Sequence, residues 1–205
     1  MRDLGGLWSD LTDLVLPAGC AGCAERVPGL RQGFCPRCVG ELESLRPAPT
    51  RPDPAPPGLP PCVALGPYAG ALRNGLLAYK ERGRHGLARP LGALLAEVVA
   101  AAVSPRGPVT LVAVPDTARA ARARYGDHLD RLARHAAARL RSAGWPVRVL
   151  RPLRRAGGAD GSVVLLDDIV TTGATLAAVS RVLRDAGMTP KVAAVLAATQ
   201  KRHHQ

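Results

Sequence analysis

Two stretches of this chain carry residue types at spacings that can do chemistry. Cys20-Ala-Gly-Cys23 and Cys35-Pro-Arg-Cys38 form two C-x-x-C pairs, with residues 24–34 between them. Each pair puts two thiolates on one tight turn, and two such turns facing each other supply the four soft ligands of a tetrahedral zinc site. Two disulfides, or one redox-active pair, are the alternatives. A redox motif would open a helix in a thioredoxin-like βαβ unit, which is not the setting here. With sulfur at all four positions the site is closed, so its expected role is structural rather than catalytic. Cys62 lies in an apolar run and reads as a buried spectator.

The second stretch is VVLLDDIVTTGATL, residues 163–176. A buried parallel strand would deliver Asp167 and Asp168 at its C-terminal end, where α/β sheets bind ligands. The turn Thr171-Thr172-Gly173-Ala174-Thr175 then offers backbone N–H groups and hydroxyls at a helix N-terminus, an anion-binding arrangement. Carboxylates a short turn away from a phosphate cradle suit a sugar phosphate: the acids accept hydrogen bonds from hydroxyls while the loop holds the phosphate. VVLLDD alone would also pass for the acidic strand of a P-loop ATPase, but no G-x-x-x-x-G-K-[ST] occurs in the chain. Nor does a G-x-G-x-x-G open the sheet, so a dinucleotide fold has no support. Simple helix capping by Thr171 is the bland alternative, and two adjacent acids with three threonines exceed what capping requires.

The elements that must position these groups follow from periodicity. Residues 7–16 place Leu7, Leu11, Leu14 and Val15 at helical spacing. Residues 46–61 are so proline-rich that helix and central strand are excluded, and they read as a semi-rigid extended linker. Beyond them, strands are expected at 62–66, 109–115, 147–150, 162–168 and 191–198, and helices at 70–79, 87–103, 127–142 and 174–186. Alternation of this kind argues for an α/β fold with a mostly parallel sheet flanked by helices. The expected organisation is an N-terminal helix and four-cysteine zinc module at 1–45, the linker at 46–61, the α/β domain at 62–200 and a basic tail at 201–205.

Composition bounds the partners. The 205 residues hold 28 Lys and Arg against 16 Asp and Glu, a net charge of +12, which favours phosphate-rich ligands. Most of the basic residues are arginines scattered through Ala- and Pro-rich text, and aromatic residues make up 3%, too few for a base-stacking platform. No stretch reaches the ~18–20 apolar residues needed to span a bilayer, so no membrane insertion is expected. Asp10, Asp13 and Pro17 interrupt any export signal before Cys20, and a cytoplasmic location is expected.

At this point the sequence resembles a known family. Asp167-Asp-Ile-Val-Thr-Thr-Gly-Ala-Thr175 looks like the 5-phosphoribosyl-1-pyrophosphate (PRPP) signature of type I phosphoribosyltransferases. With the cysteine pairs in front, the whole chain is similar to the ComF family, a zinc module followed by a phosphoribosyltransferase domain. Weaker matches are Tyr68-Ala-Gly-Ala-Leu72, Leu77-Ala-Tyr-Lys80-Glu-Arg82-Gly83, Val112-Ala-Val-Pro115 and Arg122-Ala-Arg124-Tyr-Gly126-Asp-His128. The resemblance implies that Asp167 and Asp168 hold the ribose hydroxyls with Mg²⁺ nearby, and that Thr171 to Thr175 wrap the 5′-phosphate. It further implies a pyrophosphate loop after Pro115, with Asp116, Arg119, Arg122 and Arg124, and more remotely Lys80 and Arg82, as candidates around the leaving group. The implied activity is transfer of the phosphoribosyl group to a nitrogen acceptor with release of pyrophosphate. The chain departs from the family at Arg151 to Gly161, a stretch short for a lid, where Arg151, Arg154 and Arg155 are the only cations. The alternative expectation is therefore a non-catalytic module that binds PRPP or a related phosphate and acts with protein or single-stranded DNA partners in DNA uptake (competence).

Overall fold

A computed structural model of the chain describes residues 19–115, 128–150 and 161–199. The expected helix at 7–16, the residues Asp116, Arg119, Arg122 and Arg124, the arginines 151, 154 and 155, and the tail at 201–205 lie outside the described residues.

Among the described residues, six strands form one sheet in the order β1-β2-β6-β5-β3-β4. They are β1 (Ala48–Thr50), β2 (Cys62–Pro67), β3 (Val109–Ala113), β4 (Val147–Leu150), β5 (Ser162–Val170) and β6 (Pro190–Ala198). Only β1 runs antiparallel to its neighbour; the other pairings are parallel. The sequence explains this. Val163 to Leu166 of β5 and Val192 to Ala198 of β6 are near-continuous apolar runs without polar alternation, and all of these residues are buried. Such strands need cover on both faces, which is the condition of a parallel sheet.

The helices supply that cover: α1 (Pro36–Ser44), α2 (Gly70–Lys80), α3 (Ala88–Ala102), α4 (His128–Ser142) and α5 (Ala174–Asp185). The connections β2–α2–α3–β3 and β3–α4–β4 step toward one edge of the sheet, whereas β5–α5–β6 steps toward the other. Right-handed crossovers therefore place α5 on the face opposite α3 and α4. They also make β3 and β5, which are neighbours, leave the sheet in opposite directions. That reversal opens a crevice at their C-terminal ends, the usual ligand position in an open α/β sheet. Val114, just past β3, donates its N–H to the carbonyl of Leu166 on β5 at 3.0 Å, closing the base of the crevice.

Several expected elements shift by a residue or two. Strand β5 runs on to Val170, two residues beyond Asp168, because Ile169 and Val170 still pair with Ala197 and Ala198 of β6. The helix expected from residue 87 is preceded by a 3-10 turn, His85–Leu87. Two elements were not anticipated. Helix α1 starts on Pro36, which suits a first helical position because its missing N–H is not needed there. Strand β1 falls inside the proline-rich stretch, tolerated because it is an edge strand.

That stretch also packs back on the body. Arg184 of α5 donates to the carbonyl of Gly58 at 2.5 Å. Leu59 and Pro52 lie so close to Gly173 that a Cβ there would stand 3.0 and 3.3 Å from them.

On the other face, Tyr79 of α2 is fully buried and donates its hydroxyl to the carbonyl of His128, the first residue of α4, at 2.7 Å. Replacing Tyr79→Phe should lower unfolding stability by about 1 kcal/mol. In urea the midpoint should fall with an unchanged denaturant slope.

Candidate functional site

The cysteine cluster is built by two backbone turns brought face to face. The bridge between Arg31 and Phe34 turns the chain between the two pairs, and α1 begins directly after Cys35. The four sulfurs, from Cys20, Cys23, Cys35 and Cys38, all lie within 4.8 Å of one another. Cys23 and Cys35 are 3.8 Å apart, which is the edge of a tetrahedron with metal–sulfur bonds of about 2.3 Å. Cys20 Sγ accepts N–H groups from Gly22 at 3.3 Å and Cys35 at 3.2 Å. Burial would raise the Cys20 thiol, but amides of Cys35, Cys23 and Gly22 outweigh it and bring the thiol down to about 6. Burial and the neighbouring thiols push Cys38 up. Closely spaced thiols, one already stabilised as thiolate by backbone amides, can hold a metal ion, and four sulfurs with no open position fit structural zinc. Cys62 is buried apart from the cluster; burial pushes its thiol up to about 11, and it donates to the carbonyl of Pro60. It is an inert core residue.

The cluster is not a bead on a string. Asn74 Nδ2 of α2 donates to the carbonyl of Gly22 at 2.6 Å, and Arg84 Nη1 donates to that of Gly19 at 2.7 Å. Glu41 Oε1 of α1 accepts the free N–H of Ala71, in the first turn of α2, at 2.7 Å. Phe34 packs over Gly75, where a Cβ would come within 2.8 Å of its ring. The cysteine turns, α1 and α2 therefore form one block.

Helix α2 ends on Lys80, and Lys80 is where this block meets the acidic pair. Its Nζ lies 2.5 Å from Asp168 Oδ2, with 22% and 13% of the two side chains exposed. A cation at a helix C-terminus is favoured by the exposed carbonyls of the last turn. Successive strand residues face opposite sides of the sheet. Asp168 thus turns toward α2, and Asp167 toward α5 and its leading loop. Asp167 Oδ1 accepts the N–H of Asp168 at 2.9 Å. Burial, and then the charge of Asp168, raise the Asp167 carboxyl to about 7.

The Thr-Gly loop leaves β5 after Val170. Thr171, Thr172, Ala174 and Thr175 are exposed, whereas Gly173 is buried and adopts a left-handed conformation, φ 74° and ψ 4°. A side chain at 173 would be strained and would strike Leu59 and Pro52. The carbonyl of Gly173 accepts the first helical bond of α5, and Thr172 Oγ1 accepts the N–H of Ala174 at 3.3 Å. The loop thus presents hydroxyls and the free amides of a helix start toward solvent beside the acidic pair.

Of the residues singled out in the sequence, the structure joins Asp167, Asp168, Thr171 to Thr175, Pro115 and Lys80 at the C-terminal ends of β3 and β5. Pro115 is exposed, one residue past the Val114–Leu166 bond. Arg82, two residues past the end of α2, turns its guanidinium back to donate to the carbonyl of Asn74 at 3.3 Å. The Lys80–Asp168 ion pair itself had no local signal in the sequence, since its partners are brought together only by the fold. No protein-family model matches the chain, and no curated protein matches it.

Two measurements check this site. Purified protein should carry one equivalent of zinc, and Cys35→Ser should lose the metal and several kcal/mol of stability, read by colorimetric metal release and thermal unfolding. Asp167 has a raised folded-state carboxyl, so it is protonated in the folded chain while the unfolded chain ionises, and stability falls as pH rises from about 4 to about 7. Asp167→Asn should therefore be more stable than wild type at pH 8, by roughly 1–3 kcal/mol, and match it near pH 4, by denaturant titration at both values.

Proposed function

We propose that the chain binds PRPP with Mg²⁺ in the crevice between β3 and β5 and transfers its phosphoribosyl group to a nitrogen acceptor. One observation carries the reading: Asp167-Asp168 and the Thr171–Thr175 loop lie together at the point where the sheet reverses direction, with the turn after β3 alongside. The similarity of the same residues to the PRPP signature, and of the chain to the ComF family, supports it.

The chain's groups divide the work. The free amides at the start of α5 and the hydroxyls of Thr171, Thr172 and Thr175 hold the 5′-phosphate. The carboxylates of Asp167 and Asp168 accept the ribose hydroxyls and fix the ring. Hard carboxylate oxygens also suit Mg²⁺, which when bound neutralises the charge developing on pyrophosphate as it leaves. Lys80, paired with Asp168, faces the leaving group. What the protein contributes is orientation and electrostatic stabilisation of a separating charge.

Binding without transfer is the second reading. The short stretch from Arg151 to Gly161 favours it, because such a reaction relies on closure to exclude water. With a net charge of +12, single-stranded DNA or competence proteins are then the partners to test, at low and at high salt.

The deciding experiment is calorimetric titration of PRPP with Mg²⁺ into zinc-loaded protein, beside an Asp167→Asn, Asp168→Asn double variant. Wild type should bind and the double variant should lose at least tenfold in affinity. Pyrophosphate release on adding nucleobases then separates an enzyme from a binding module. Equal or absent binding in both proteins would remove the proposal.

A further inference from the structure

The four sulfurs of the cysteine cluster are not equally open to reagents in solution. Cys20, Cys35 and Cys38 are 2%, 4% and 2% exposed, whereas Cys23 is only partly buried. Beside Cys23 stands Arg37, whose side chain is 68% exposed and lies 3.1 Å from Glu25. Its guanidinium also hydrogen-bonds to the Cys23 sulfur. A small oxidant therefore meets Cys23 first, next to a cation that can receive negative charge. The sulfur of Cys35 lies 3.8 Å away. Cys35 stands at the N-cap of α1, where the helix start favours a thiolate, and its side chain makes no capping hydrogen bond. Cys20 is placed differently, since the amides of Gly22 and Cys35 hold its sulfur. Cys62 is outside the cluster and donates to the carbonyl of Pro60. An accessible thiolate with a second thiolate within reach is the arrangement of a reversibly oxidised cysteine.

From this asymmetry we infer that Cys23 is an oxidation site at which hydrogen peroxide opens the metal cluster, with Cys35 as the resolving thiol. The Cys23 thiolate attacks one peroxide oxygen. An S–O bond forms, the O–O bond breaks, and hydroxide leaves beside Arg37, whose charge stabilises it. The Cys35 thiolate then attacks the Cys23 sulfur. The S–S bond forms, the S–O bond breaks, and a second hydroxide leaves. The two sulfurs give up two electrons, peroxide takes them, and protons from solvent turn both hydroxides into water. Only Cys20 and Cys38 remain as donors, too few to keep zinc in a closed site. The change reaches beyond the cluster, because Gly22, next to Cys23, accepts the Asn74 amide of α2. The modification rests on the cluster holding zinc and is independent of what the crevice binds.

The test is treatment of the zinc-loaded whole chain with excess hydrogen peroxide. Metal release is followed with a colorimetric zinc indicator, and disulfides are mapped by mass spectrometry of peptides. Wild type should release its zinc, and the first disulfide should join Cys23 to Cys35. A thiol reductant with added zinc should reverse both changes. Arg37→Ala should hold zinc as wild type does and release it roughly two- to fivefold more slowly, the effect of one exposed charge. Cys62→Ser should behave as wild type. Zinc that stays bound under peroxide overturns the inference, as does a first disulfide between Cys20 and Cys23 or one that includes Cys38 or Cys62. An Arg37→Ala rate equal to that of wild type overturns it too. The mapping needs no variant, so it decides even if Arg37→Ala fails to hold zinc. If the purified protein carries no zinc, the cluster's role as a metal site fails and the modification fails with it. If it carries zinc that peroxide does not release, only the modification fails.

Discussion

A strand buried on both faces cannot end in adjacent carboxylates unless something compensates their charge. Strand β5 is such a strand: Val163 to Leu166 are buried, and the next two residues are Asp167 and Asp168. The fold solves this differently on its two faces. Toward α2, Asp168 has an ammonium. Toward α5, Asp167 accepts the adjacent backbone amide, and burial with the charge of its neighbour raises its carboxyl to about 7. One carboxyl is paired with a cation and the other is raised by burial and its neighbour's charge, though they are adjacent in sequence.

The compensation on the α2 side depends on elements far from the sheet. Lys80 can meet Asp168 only if the C-terminus of α2 points at β5. That direction is set by Glu41 at the helix start, Asn74 on Gly22, Arg84 on Gly19 and Phe34 over Gly75. Every one of these braces begins in or beside the cysteine turns. A metal bound by Cys20, Cys23, Cys35 and Cys38 therefore contributes more than local order. It stiffens the mount that aims one charge at another across the molecule.

What could be read from the sequence was what is local. The cysteine pairs announce themselves because their ligand spacing is confined to tight turns. Asp167-Asp168 and Thr171 to Thr175 are likewise contiguous, and the apolar runs of β5 and β6 make a parallel sheet the natural expectation. Helix α1 was legible in principle, since Pro36 is a start signal and Leu42 falls on its buried side. The ion pair was not. Lys80 and Arg82 look alike in the sequence, but Lys80 closes α2 and reaches Asp168, whereas Arg82 lies past the end of the helix and turns back to Asn74. The β1 pairing was hidden for another reason: Pro49 argues against a strand, and only the edge position makes it permissible.

The proline-rich stretch gives the chain an unusual kind of indivisibility. By pairing with β2 and lying over Gly173 and α5, it ties the cysteine half to both sides of the sheet. A fragment beginning at β2 would lose that seal. It would present an unpaired row of amides and carbonyls along Cys62 to Pro67, an invitation to edge-to-edge association. The two halves therefore cannot be traded between proteins as interchangeable modules. Whatever change occurs in one must keep its fit against the other, so they are expected to vary in step.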